Sequence, residues 1–272
     1  MPSFIQLSDT HIVPEGQLAY GKSDTAAALS EAVETVNAVL SRLDPIDCAI
    51  ITGDLTDFGT RAEYERLKGI MSRLNLPYMA IPGNHDSREV MRAAFADQDW
   101  MPDSGPIQWS RDFGDFTLIA LDTLVEGQHH GMLCPEGFAF LDAALGAAQG
   151  QPVVVATHHP WMHSGVIAMD INNLRNGAAL LERLEAYSGP VRMISGHVHR
   201  TMTTQIGRVT CQIAPAPCHA VHLSHMPDSV NSLIMEPGGV TLWQWQDSPQ
   251  PGLASNVIPV GRFAGPWPFY EA

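Results

Sequence analysis

Through the first 200 residues, short apolar runs alternate with longer stretches of helical period. The runs lie at 4–7, 48–51, 78–81, 117–121, 153–156 and 191–194. A strand buried on both faces reads as a continuous apolar run, so these six predict core strands. The segments between them predict helices over 24–43, 61–74, 87–95, 135–148 and 177–187. The second is the best defined. Thr60 and Glu63 have the spacing of a capping box, and Tyr64, Leu67, Met71 and Leu74 share one face. Regular alternation of strand and helix implies a layered α/β fold. After His199 the pattern changes to hairpins. Segments 203–206 and 209–213 flank Gly207-Arg208, and 232–236 and 240–245 flank Pro237-Gly238-Gly239. The chain therefore divides into a core over 1–200 and an extension over 201–272, which is expected to supply completing strands, a cap hairpin and an aromatic, proline-rich tail.

Polar residues gather where the predicted strands end. They are Ser8-Asp9-Thr10-His11, Gly53-Asp54-Leu55-Thr56-Asp57, Gly83-Asn84-His85-Asp86, Thr157-His158-His159-Pro160 and Gly196-His197-Val198-His199. Ligands of layered α/β folds collect beyond the carboxyl ends of strands, so these five endings are expected to converge on one crevice. Residues two apart on an extended segment point the same way, which pairs Asp9 with His11 and His197 with His199. Carboxylate, imidazole and amide oxygen without sulfur suit Zn, Mn, Fe or Co. Glycines at 53, 83 and 196 let the backbone turn beside these donors. His129, His130, His163, His222 and His225 stand outside the strand-end motifs and read as ordinary histidines, and His159 is left out of the site.

Other classes are disfavoured by composition. Net charge is −14, from 15 basic and 29 acidic side chains, with no basic track for a nucleic-acid polymer. No window is long and apolar enough for a membrane span, and the N-terminal residues lack a signal-peptide pattern, so a cytoplasmic location is expected. The four cysteines (Cys48, Cys134, Cys211, Cys218) are scattered and read as reduced thiols, although a Cys211–Cys218 bridge is possible by separation alone.

The ordered series D-x-H, G-D-x-x-D, G-N-H-D, strand-end His and G-H-x-H resembles the calcineurin-like metallophosphoesterases, and it spans Asp9 to His199. Tyr20-Gly21, Met169-Asp170, Asn176-Gly177 and Ala264-Gly265-Pro266-Trp267 are similar to the bacterial cyclic-nucleotide and glycerophosphodiester phosphodiesterases of that family. The resemblance implies a four-layer α-β-β-α sandwich with a C-terminal β-hairpin cap. It also implies two divalent metal ions. Asp9, His11 and His199 would hold the first, Asn84, His158 and His197 the second, and Asp54 would bridge them. His85 would face the substrate, while Asp57 and Asp86 would orient imidazoles or loops.

The expected chemistry is hydrolysis of a small phosphodiester by metal-activated water, with His85 assisting the leaving group. A phosphomonoesterase with the same metals is the alternative, and a non-catalytic relative is a more distant one. The stretch 211–245 has two readings: its strands complete the second sheet, or its loop 215–227 overhangs the metals and brings His219 or His222 to the substrate. Resemblance further implies a homodimer or higher homo-oligomer.

Overall fold

The computed structural model describes residues 1–270. In chain order its elements are β1 (Ser3–Leu7), α1 (Thr25–Leu40), β2 (Cys48–Thr52), α2 (Arg61–Met71), β3 (Tyr78–Ile81), α3 (Arg88–Ala94), β4 (Trp109–Asp112) and β5 (Thr117–Ala120). There follow α4 (Pro135–Ala148), β6 (Val153–Ala156), α5 (Ile167–Asp170), α6 (Gly177–Ala186), β7 (Val191–Ser195), β8 (Met202–Ile206) and β9 (Val209–Ile213). The last elements are β10 (Ala220–Val221), β11 (Leu233–Ile234), β12 (Gly239–Gln246) and β13 (Gly252–Pro259).

Two main sheets result. The first runs β13-β12-β1-β2-β3 and the second β4-β5-β6-β7-β9-β8, with β10 and β11 as a separate small pair. Strands β1, β2 and β3 are parallel, as are β5, β6, β7 and β9. Alternation along the second sheet shows which layers touch. Leu118, Ala120, Val154, Ala156 and Ile194 join Phe4 and Trp243 of the first sheet in one core. Their neighbours Ile119, Val153, Val155 and Met193 join Leu141, Leu145, Leu180 and Leu184 of α4 and α6 in the other. Leu29, Val33 and Val36 of α1 and Leu67 and Met71 of α2 pack against the first sheet. The order is helix, sheet, sheet, helix, as expected.

Local chemistry accounts for the helix starts. Asp24 caps α1 by accepting from the Ala27 amide (3.0 Å). At α2 the Glu63 carboxylate accepts from both the amide and the hydroxyl of Thr60, at 2.9 and 2.8 Å.

The second predicted hairpin is corrected. Segment 240–245 does lie within a strand, but β12 pairs with β1 on one side and with the following β13 on the other. β11 pairs with β10 instead. The cause is burial: a strand as apolar as Gly239–Gln246 is buried at all but two positions and takes the place beside β1. Strand β4 and the edge strand β13 escape the sequence reading: β4 is mostly polar and exposed, and in β13 Ser255-Asn256 interrupt the apolar residues, so neither carries a continuous apolar run. All four cysteines are free.

Trp243 packs in the core between the two sheets, with the Arg192 guanidinium of β7 5.4 Å from its ring centroid. It is fully buried, stacks on Phe4 at 6.1 Å, and donates from Nε1 to Gln6 Oε1 at 2.9 Å. Trp243→Ala is expected to cost about 3–5 kcal/mol, which a shift in the urea unfolding midpoint at unchanged slope would register.

Candidate metal centre

The five strand endings do converge. The first sheet contributes Asp9, His11, Asp54, Asn84 and His85, and the second contributes His158, His197 and His199. Asp9, His11, Asp54, His158, His197 and His199 are all buried. Five of the six, all but His158, sit in the left-handed region, with φ of 55° (Asp9), 41° (His11), 50° (Asp54), 73° (His197) and 56° (His199). That conformation turns the chain sharply at each strand end and is costly for any residue with a Cβ, at about 1–2 kcal/mol each. Strain of this kind clusters at functional sites.

Asp54 lies at the centre. Its Oδ2 is 3.5 Å from His11 Nε2 and 3.3 Å from His158 Nε2, while Oδ1 accepts the His85 amide at 2.9 Å. Asp9 accepts the His197 amide on both oxygens, at 2.9 and 3.1 Å, and its Oδ1 is 3.5 Å from His199 Nε2. Asn84 Oδ1 lies 3.2 Å from His158 Nε2, and His197 Nδ1 lies 3.3 Å from the same atom. The approach is so close that glycine is required beside it. A Cβ on Gly83 would come within 2.2 Å of Asp54 Oδ1, and one on Gly196 within 1.9 Å of Ser8 Oγ.

Acceptors behind the imidazoles fix which nitrogen faces inward. His11 Nδ1 faces Asp57 Oδ1 at 3.0 Å, His158 Nδ1 faces the Thr52 carbonyl at 2.9 Å, and His199 Nδ1 faces the His219 carbonyl at 3.0 Å. Each such bond places the proton on Nδ1 and leaves Nε2 as a bare donor atom toward the centre. The result is donor against donor: His11 Nε2 and His199 Nε2 stand 3.1 Å apart. Asp9, His11 and His199 form one group able to hold an ion, and Asp9, Asp54 and His158 another. Crowded lone pairs of this kind fit cations between them.

The electrostatics agree. Burial pushes the Asp9 carboxyl up to about 6, against the pull of His158, and the Asp54 charge adds to the rise. Burial would also lower His158, but the carboxylates of Asp54 and Asp9 overcome it and raise that imidazole to about 9. Burial and then the neighbouring His11 push His199 down to about 3. Without a metal, a proton on His158 provides part of the positive charge that Asp54 and Asp9 need.

His85 stands apart from this inner set. It is partly exposed, its Nδ1 lies 2.9 Å from the Asp57 carbonyl, and its ring meets the His11 ring edge-on at 4.7 Å. Asp86 acts on the loops: it accepts from the amides of Leu55 (3.0 Å), Thr56 (3.2 Å) and Gly83 (2.9 Å), and from the hydroxyls of Thr56 (3.0 Å) and Tyr64 (2.8 Å).

Three further histidines reach the neighbourhood. His219 is buried, its carbonyl holds His199, and its ring is 5.8 Å from that of His11. His159 is fully buried, with Nδ1 2.8 Å from Thr123 Oγ1 and its ring 4.8 Å from those of both His158 and His197. His129, read from sequence as ordinary, lies 6.2 Å ring to ring from His85. The signal available was the Gly127-Gln128-His129-His130-Gly131 segment following a core strand. His222, by contrast, is exposed, and its amide donates to the Ser232 carbonyl at 2.8 Å.

The fold and this centre define a phosphoesterase of the two-sheet type, and the comparisons agree. The family model for calcineurin-like phosphoesterases matches residues 2–201. The chain belongs to that family. It is 33% identical over 268 residues to a probable glycerophosphodiester phosphodiesterase of Arcobacter nitrofigilis, covering 98% of this chain and 96% of the relative. It is 29% identical over 214 residues to a 3′,5′-cyclic adenosine monophosphate phosphodiesterase of Pseudomonas aeruginosa, covering 79% and 75% of the two chains. Among solved structures, a dimetal phosphatase from Danio rerio superposes with a TM-score of 0.60 at 15% identity over 95% of this chain and 99% of the other, a likeness of fold. Among the described residues no helix is long and apolar enough to cross a membrane.

Asp86→Asn keeps the volume but turns an amide NH2 toward donors. It is expected to cost about 1.5–3 kcal/mol, in the range for breaking charge-assisted bonds, and to lower the metal content of the purified protein, as read by denaturant unfolding and elemental analysis.

Proposed function

We propose that this chain hydrolyses small phosphodiesters with two divalent ions, one held by Asp9, His11 and His199, the other by Asn84, His158 and His197, and Asp54 shared between them. The observation that carries the reading is the position of Asp54 Oδ2 between His11 Nε2 and His158 Nε2, at 3.5 and 3.3 Å. A carboxylate flanked by bare donor atoms on both sides has the geometry of a shared ligand. The N/O donor set suits Mn, Fe, Zn or Co. The two phosphodiesterase relatives support a diester as substrate.

Bound divalent ions acidify water and offset the charge of a phosphate. The chain's own residues do the rest. Asp57 holds both His11 and His85, through its carboxylate and its carbonyl respectively, and so sets the distance between the metal ledge and the substrate-facing imidazole. With Nδ1 engaged by the Asp57 carbonyl, His85 presents Nε2 to the phosphate and can pass a proton to the departing alkoxide oxygen. An acidic surface with no basic track favours a small substrate over a polyanionic chain.

Chelation should abolish hydrolysis of bis(p-nitrophenyl) phosphate, and added Mn should restore it; activity that survives chelation, or that falls on p-nitrophenyl phosphate alone, would sink the diesterase reading. Asp54→Ala is expected to lose bound metal and activity together. His85→Ala should retain metal by elemental analysis while turnover of an alkyl diester falls about 100-fold or more, the usual contribution of a general acid.

A further inference from the structure

The loop joining β5 to α4 ends one of the core strands, yet none of its residues enters the chemistry above. Both of its feet are fixed. Asp122 is buried and accepts from Arg88 Nε (2.7 Å), Arg88 Nη2 (2.8 Å), and the amides of Ile107 (2.8 Å) and Leu124 (2.9 Å). Arg88 opens α3, directly after the loop carrying Asn84 and His85, so this ion pair ties the two loops together. At the other foot, the Gly131 amide donates to the Asn173 carbonyl (3.3 Å) and the Arg175 amide donates to the Gly131 carbonyl (2.9 Å). Gly131 also lies against the buried His159 ring so closely that a Cβ there would sit 2.4 Å from it. Thr123 bonds the same ring at 2.8 Å.

A tip held at both ends has a determined place. That place puts the exposed His129 across from His85, with ring centroids 6.2 Å apart and planes at 50°. An oxygen hydrogen-bonded to two imidazoles separates their nitrogens by about 4.5–5.6 Å, which rings at this spacing can satisfy. Glu126 shares the tip and is exposed; its carboxylate accepts from the Arg88 amide at 3.2 Å and lies 3.8 Å from the Arg88 guanidinium, a further tie between the tip and α3.

We propose that His129 is a specificity-determining residue that hydrogen-bonds the leaving alcohol opposite His85 and favours diesters whose alcohol is hydroxylated. This rests on the phosphodiesterase reading above. It refines that reading by favouring a glycerol-type alcohol over one without hydroxyl groups. His159, through Thr123 and Gly131, is the positioning residue behind the tip.

The test compares kcat/KM for glycerophosphoglycerol with that for bis(p-nitrophenyl) phosphate in the Mn-loaded protein, its His129→Ala and His129→Gln variants, and Gln128→Ala from the same tip. His129→Ala should lower the ratio of the two values about tenfold, the size expected for one substrate hydrogen bond, mainly through KM for glycerophosphoglycerol. His129→Gln should recover part of the loss, and Gln128→Ala should keep the wild-type ratio. Metal content equal to wild type in His129→Ala would set aside a merely structural effect. A ratio within twofold of wild type in His129→Ala overturns the assignment while leaving the phosphodiesterase reading intact; a wild-type protein inactive on both diesters removes the two together.

Discussion

Asp9 is held by a backbone amide from the opposite sheet. Both its oxygens accept the His197 N–H, at 2.9 and 3.1 Å, so the residue after β1 is tied to the turn after β7. Close behind it, Gln6 Nε2 reaches from β1 to the Ser195 carbonyl of β7 at 3.2 Å. These two buried contacts lock the ends of the sheets in register with each other. The metal centre depends on that lock, because its donors come from both sheets and neither could assemble it alone. Packing of the shared core, from Phe4 and Trp243 to Val154 and Ile194, therefore determines the distances between ligands as much as it determines stability.

The same arrangement works against itself electrostatically when no cation is present. Burial and the neighbouring Asp54 charge raise the cost of ionising Asp9, and His199 and His11 present nitrogen to nitrogen at 3.1 Å. Five left-handed residues add backbone strain. A fold keeps such features only when something binds there, since ligand binding to the native state offsets them. The hydrogen bonds behind the imidazoles make the binding specific: Asp57, Thr52 and the His219 carbonyl choose the tautomers before an ion arrives.

Most of the fold was legible because its signals are local. The six buried strands stand in the sequence as apolar runs, and the helices between them carry their own period, with side-chain caps at the starts of α1, α2 and α3. The convergence of the candidate ligands was legible for a related reason: each adjoins a strand end, where a short motif records it. What escaped was whatever depended on partners distant in sequence. Strand β12 was found, but its pairing with β1 could not be, since 240–245 fits a hairpin with either neighbouring segment until the core selects one. His219 acts on His199 through a carbonyl, and a backbone contact leaves no mark on residue type. His159 looked like a neighbour of a ligand, and only the packing of Gly131 and Thr123 on its ring shows what it supports.

His129 follows the same logic one layer further out. The candidate ligands answer to the demands of a cation, which accepts only a few donor types. A substrate's alcohol makes no comparable demand. Residues that meet it sit on loop tips, where exposure permits many side chains and the scaffold supplies only position. Apart from the glycines around it, a histidine at such a tip looks in sequence much like one exposed to solvent elsewhere, such as His163, which faces Asp170 instead. The difference lies in the feet of the loop. Buried Asp122 and buried His159 commit hydrogen bonds to holding a loop whose tip, residues 126–129, is exposed and contributes nothing to the core. A fold that fixes an exposed tip this firmly over its metal centre gives that tip a defined view of the substrate, and with it the means to discriminate among alcohols that the ions alone would treat alike.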